Sequence, residues 1–65
     1  SCTPQTPATT VNGVTYNTNT TLNGCNFLVV NSSVTSGATL SINSTGYTSF
    51  SANFTVNTGS SLTVL

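Results

Sequence analysis

The stretch VTSGATLSI, Val34–Ile42, returns twenty-two positions later as VNTGSSLTV, Val56–Val64. In both copies a glycine sits three residues after a valine, and two aliphatic residues then alternate with hydroxyl side chains. The shift of twenty-two lays Val34 on Val56, Gly37 on Gly59, Leu40 on Leu62 and Ile42 on Val64. Upstream it carries Asn31 onto Asn53, Leu28 onto Phe50 and Val30 onto Ala52. A fainter copy, offset by twenty-four, sets Gly13 under Gly37, Tyr16 under Leu40 and Asn19 under Asn43. Self-similarity at a period of roughly 20 to 50 residues marks stacked architectures, in which each repeat buries its apolar face against the next.

The remaining sequence speaks the same β alphabet. Val, Ile, Thr, Phe and Tyr recur in short alternating runs, punctuated by Asn-Gly, Ser-Gly and Thr-Gly pairs, and no apolar spacing follows a helical period. Asn12-Gly13 signals a hairpin or corner. The continuous run Phe27–Val30 is expected to be buried on both sides. Phe50, Ala52, Phe54 and Val56 are expected on one side of a further run. The expected fold is all-β: a short β-solenoid, parallel and helix-like in its winding, with rungs of about 22 residues. The alternative is a small antiparallel β-sandwich completed by a strand from a neighbouring subunit. Residues 1–10 contain both prolines and no periodicity, and read as an extended Pro/Thr-rich arm; residues 11–65 form a single β domain.

At 65 residues the chain can bury only a small core, so a covalent staple is valuable. Cys2 and Cys25 allow one intramolecular disulfide, which stabilises by about 3 kcal/mol on the chain-entropy account. Two free buried thiols are the alternative. A disulfide fits an extracellular, secreted location, with Ser1 following a removed signal peptide.

Charge narrows the function more sharply. The sequence has no Lys, Arg, Asp, Glu or His, while Thr (15), Ser (10) and Asn (9) make up over half of it. Nucleic-acid binding needs cations against phosphate, and insertion into a membrane needs an apolar run of about 20 residues; neither is present. General acid–base catalysis lacks a group that titrates near neutrality, and the hydroxyls lack a base to activate them. Two cysteines without His or carboxylates cannot complete a metal site. The expectation is a non-enzyme without cofactor or metal. A neutral chain also lacks the repulsion that keeps soluble proteins apart, so either covalent glycan or ordered assembly must manage its surface.

Candidate attachment positions for glycan are the sequon residues Asn19, Asn31, Asn43 and Asn53, and the hydroxyls of Thr9, Thr10, Thr20 and Thr21. Their number is what chance produces in so Ser/Thr-rich a chain; their register carries the information. Asn31 and Asn53 share the shift of twenty-two, and Asn19 and Asn43 that of twenty-four, so a stacked coil aligns them in two outer columns. Stacked asparagine ladders are the competing use of the same residues.

The units VTSGATLSI and FTVNTGSSLTVL resemble the V-x-x-G-A-x-L-x-I rungs of secreted β-solenoid repeat modules of Bacteroidota, over roughly residues 24–65. The resemblance implies a part of a cell-surface or extracellular fibre protein. This chain differs from such modules in carrying no charge at all.

The final strand SLTVL has no charge and no proline to blunt its edge, which makes Leu62, Val64 and Leu65 the candidate assembly edge. An uncapped repeat end offered to an identical chain generates a head-to-tail polymer. The expected function is therefore a structural subunit of an extracellular, glycosylated filament or surface fibre, with copies of itself and covalent glycan as partners. The alternatives are a carbohydrate-binding or adhesive module, using Tyr16, Tyr47, Phe27, Phe50 or Phe54, and an ice-binding protein. The latter is disfavoured because the single Thr-x-Thr, Thr18–Thr20, recurs on neither register.

Overall fold

The structure is a computed structural model that describes residues 1–65. Nine short strands follow one another: β1 (Thr9–Asn12), β2 (Thr15–Tyr16), β3 (Thr20–Gly24), β4 (Phe27–Val30), β5 (Ser33–Val34), β6 (Thr39–Ser44), β7 (Thr48–Phe50), β8 (Thr55–Val56) and β9 (Ser61–Val64). There is no helix. Every third strand joins the same sheet, giving the orders β1-β4-β7, β2-β5-β8 and β3-β6-β9, and every ladder is parallel. A chain that returns to each sheet in the same direction is winding. The molecule is a short β-solenoid of three rungs: β1–β3, β4–β6 and β7–β9. The antiparallel sandwich is overturned, since no antiparallel pair occurs.

The shift of twenty-two holds where the sequence repeat was strongest. Val34 pairs with Val56, Leu40 with Leu62 and Ile42 with Val64. Elsewhere the expected registers are corrected. In the first sheet Phe50 pairs with Val29 and not with Leu28, a step of 21, because the third rung holds an extra residue at its next corner. The shift of twenty-four fails throughout. Tyr16 pairs with Val34, Leu22 with Ile42, and Asn23 rather than Asn19 with Asn43, so the first step is 18 residues in two sheets and 20 in the third. The first rung turns its second corner in two fewer residues, which no count of matching letters could reveal. The run Phe27–Val30 is also corrected: Phe27 and Val29 are buried, while Leu28 and Val30 face outward and are half-buried. Likewise Phe50 through Val56 is not one strand, because the corner at residues 51–54 separates β7 from β8 and leaves Ala52 exposed.

That corner shows how local chemistry sets the turns. Gly13, Asn31 and Asn53 occupy it on the three rungs, at φ of 72°, 50° and 68°. Positive φ is open to glycine, and among residues with side chains asparagine tolerates it best. The corner residues are thus chosen by backbone sterics before any side chain is used.

The core follows from stacking. Phe27, Val29, Val34, Ala38, Leu40 and Ile42 all belong to the middle rung and are at most 3% exposed. Val11, at 8%, is the one fully buried apolar residue outside it. Only the middle rung has a neighbour on both sides.

The arm is tied to the side of this stack. A disulfide joins Cys2 to Cys25, with the Cα atoms 5.4 Å apart. Beside it the buried Asn26 amide nitrogen donates to the carbonyls of Thr3 and Thr6, both at 2.9 Å, while its oxygen accepts from the N–H of Tyr47 at 2.9 Å. One side chain therefore connects the arm, the start of the second rung and the start of the third. The first strand begins at Thr9, so Thr9 and Thr10 lie in the sheet, not in the arm.

Candidate assembly faces and glycan positions

In a parallel stack the inward columns run through all three rungs. Val11–Val29–Phe50, Tyr16–Val34–Val56 and Leu22–Ile42–Val64 are such columns, hydrophobic at every level apart from the Tyr16 hydroxyl, whereas Thr9–Phe27–Thr48 and Thr20–Leu40–Leu62 bring threonine to the ends. Their middle members, Val29, Val34 and Ile42, are fully buried. On the third rung the same columns surface abruptly, with Phe50 at 39%, Val56 at 39% and Val64 at 44% exposure. Inward-pointing residues are exposed here because nothing in the chain stacks on them. Phe50 partly compensates by packing on Phe54, with ring centroids 4.8 Å apart. β7, β8 and β9 also present one row of unpaired backbone groups each, since each is the edge of its sheet. The expected assembly edge lies on this face. Leu62 is half-buried on Leu40, Val64 is in the open column, and Leu65 is 75% exposed beyond β9.

The first rung forms the opposite face, where Tyr16 and Leu22 are half-buried against the core. Tyr16 holds its phenolic proton more tightly than a free tyrosine, because burial disfavours the phenolate.

Two asparagine ladders run up the outside. In the first, Asn31 Nδ2 donates to Asn12 Oδ1 and Asn53 Nδ2 donates to Asn31 Oδ1, each at 3.2 Å. In the second, Asn43 Nδ2 donates to Asn23 Oδ1 at 2.9 Å. This second ladder stops there: the next position is taken by Leu65, and the buried Asn43 Oδ1 accepts no hydrogen bond. Asn23, Asn43 and Leu65, with Gly24, Ser44 and Thr45, line a shallow groove at this corner.

The sequon residues separate accordingly. Asn31 and Asn53 share a column, as their register indicated. Asn19 and Asn43 do not: Asn19 is exposed and its oxygen accepts from the N–H of Thr39 at 2.9 Å. Glycan attaches through Nδ2, which Asn31, Asn43 and Asn53 already use inside ladders; Asn19 uses only its oxygen. Among the hydroxyls, Thr9, Thr10 and Thr21 are exposed, whereas Thr20 points into the Leu40–Leu62 column and donates to the Thr18 carbonyl at 3.0 Å. Among the aromatic residues, Phe27 is core, Tyr16 and Phe54 are half-buried, and Tyr47 and Phe50 are exposed. Sequence reasoning missed Asn12, Asn23 and Asn26. The first two were absorbed into Asn-Gly turn signals, and nothing local distinguishes Asn26 from eight other asparagines.

The disulfide is compatible with an extracellular location. Comparison with protein-family models, with curated proteins and with solved structures finds no match to this chain.

Proposed function

We propose that the chain is a structural subunit of an extracellular, glycosylated filament or surface fibre that self-assembles head to tail through its open β-edges. The observation that carries this reading is the sudden exposure of three interior columns on one end face. The same columns are fully buried one rung below, so the cost of the exposed end is removed by one more rung. The absence of charged side chains points the same way, because soluble β proteins protect edges with inward or edge charges and this one has none to place. Glycan at exposed outward positions such as Asn19, Thr10 or Thr21 keeps the outer surface hydrated while leaving both ends free; Thr9, in the inward column of Phe27 on the first rung, is the one candidate whose glycan would cover an end.

Assembly of this kind predicts a cross-β fibre with its strands perpendicular to the long axis. Electron microscopy with fibre diffraction of the native chain should show a ~4.8 Å axial spacing and a subunit repeat of roughly 14 Å, three strand spacings. A chain that remains monomeric by light scattering at high concentration defeats the proposal.

A further inference from the structure

We propose that the joint between subunits is one further step of the same stack, in a single polarity and register. The first rung of a second copy seats on the third rung of the first, with Tyr16 over Val56, Leu22 over Val64, and Val11, already buried in its own chain, in register with Phe50. Its Asn12 amide nitrogen then donates to the Asn53 carbonyl oxygen. This inference rests on the fibre reading and adds which end meets which, and where.

Three observations carry it. First, the columns Val11–Val29–Phe50, Tyr16–Val34–Val56 and Leu22–Ile42–Val64 have a hydrophobic residue at each end, so the joint continues them, with the threonines of Thr9–Phe27–Thr48 and Thr20–Leu40–Leu62 as the polar members beside them.

Second, each corner mismatch at the joint has the size of one the chain already accommodates, with the longer corner on the opposite side of the step. Between the second and third sheets the first rung takes four residue steps, Tyr16 to Thr20, where the third takes six, Val56 to Leu62. The second rung also takes six, Val34 to Leu40, and pairs with the first at both ends of that corner. Between the first and second sheets the third rung takes five, Phe50 to Thr55, against four in the first, Val11 to Thr15. The second rung takes four as well, Val29 to Ser33, and pairs with the third.

Third, the amide ladder has a direction. Each Nδ2 donates toward the first rung, so Asn12 presents a free donor at one end and Asn53 a free acceptor at the other. Donor meets acceptor only when unlike ends join. Two like ends would oppose two acceptors or two donors.

The molecule measures 35 × 20 × 12 Å, so the outline of an end face is at most roughly 700 Å², below the ~800 Å² each partner buries in a standard specific interface, and the joint must rely on its backbone ladders and its repetition along the fibre.

The outer column Thr21–Ser41–Thr63 supplies a test that spares the core, since Thr21 and Thr63 are exposed. Within one chain they lie two strand spacings apart, about 9.6 Å, beyond the ~7 Å reach of a disulfide. Across the proposed joint they are adjacent. Oxidised filaments of the double variant T21C/T63C, with the native disulfide retained, should yield a series of covalent multimers on a non-reducing gel. T21C and T63C singly should yield none, and their mixture should yield dimers. Dimers from either single variant would overturn the polarity, and filaments of the double variant that stay unlinked would overturn the register. A wild-type chain that forms no filament overturns the fibre reading itself.

Asn12→Asp isolates the ladder. The carboxylate still accepts from Asn31 within the chain but has no proton for Asn53 of the neighbour. The critical concentration for assembly should rise by about tenfold or more, since a hydrogen bond is lost and a carboxylate oxygen faces the Asn53 carbonyl oxygen, while thermal unfolding of the dilute chain is unchanged. Equal critical concentrations for Asn12→Asp and wild type would remove the amide contact from the joint.

Discussion

Asn26 is 1% exposed and makes three hydrogen bonds to backbone groups that are distant in sequence. Its neighbour in the corresponding corner of the next rung is Gly46, where any Cβ would collide with the Asn26 oxygen and crowd Cys2 Sγ at 3.1 Å. These two residues form one fitting: the asparagine binds the arm, and the glycine makes room for the asparagine. Asn26→Ala leaves two carbonyls and one N–H without their partner, and should destabilise by about 2–4 kcal/mol in thermal or denaturant unfolding. Gly46→Ala should be costly alone, because Asn26 is held at both ends of its amide and cannot move aside. In the double variant the clash is gone, so its cost should fall clearly below the sum of the two. Strict additivity would show that the two positions act independently.

Among the elements, β9 is the sensitive one. It pairs with β6 along one side only, and Val64 sits 44% exposed at the head of its column. Val64→Lys places an inward charge on that open edge, the device by which natural β proteins block edge pairing. The isolated chain loses only the packing of a half-covered valine, about 1 kcal/mol. Assembly, in contrast, would require burying an unpaired ammonium against the next copy. If the proposed fibre forms, sedimentation should find the variant folded and unassembled at concentrations where the wild type sediments as fibres. Assembly of Val64→Lys equal to wild type would show that β9 is not the edge that polymerises.

At the scale of the whole molecule, two properties follow from how little chemistry the chain carries. With no Asp, Glu, His, Lys or Arg, stability has almost nothing to couple it to pH. Tyr16 is the side chain that burial perturbs, with its pKa raised above the ordinary 10.0. The neutral phenol is the form the fold favours, so this group's contribution is complete below pH 10.0 and is lost as pH rises through the folded value, when the unfolded chain releases its proton first. The midpoint of thermal unfolding should be level from about pH 4 to about pH 9 and fall above that range. Tyr16→Phe should lessen the fall, and an acid transition near pH 4 would contradict the account. The second property is dependence on the staple. A stack with one fully enclosed rung has a small core, and opening the Cys2–Cys25 loop with Cys25→Ser should cost about 3 kcal/mol. That is a large share of the stability of a domain this size, and it should lower the unfolding midpoint by well over 10 °C.

Much of this architecture was legible in the letters. Hydrophobic alternation and the recurrence of VTSGATLSI determined an all-β stacked fold, the pairing of Val34, Leu40 and Ile42 with Val56, Leu62 and Val64, and a neutral edge on the final strand. A single pair of cysteines allowed only one intramolecular bridge. These are local or nearest-repeat properties, and periodicity transmits them directly. What periodicity could not transmit was corner length. The first rung turns in fewer residues than the others, so its register, and the true partner of Asn43, depend on how three corners close in space. The roles of Asn26 and of the directed Asn12–Asn31–Asn53 ladder were decided at the same level. A hydrogen bond spanning about twenty residues of chain exists only once the stack has set its ends side by side.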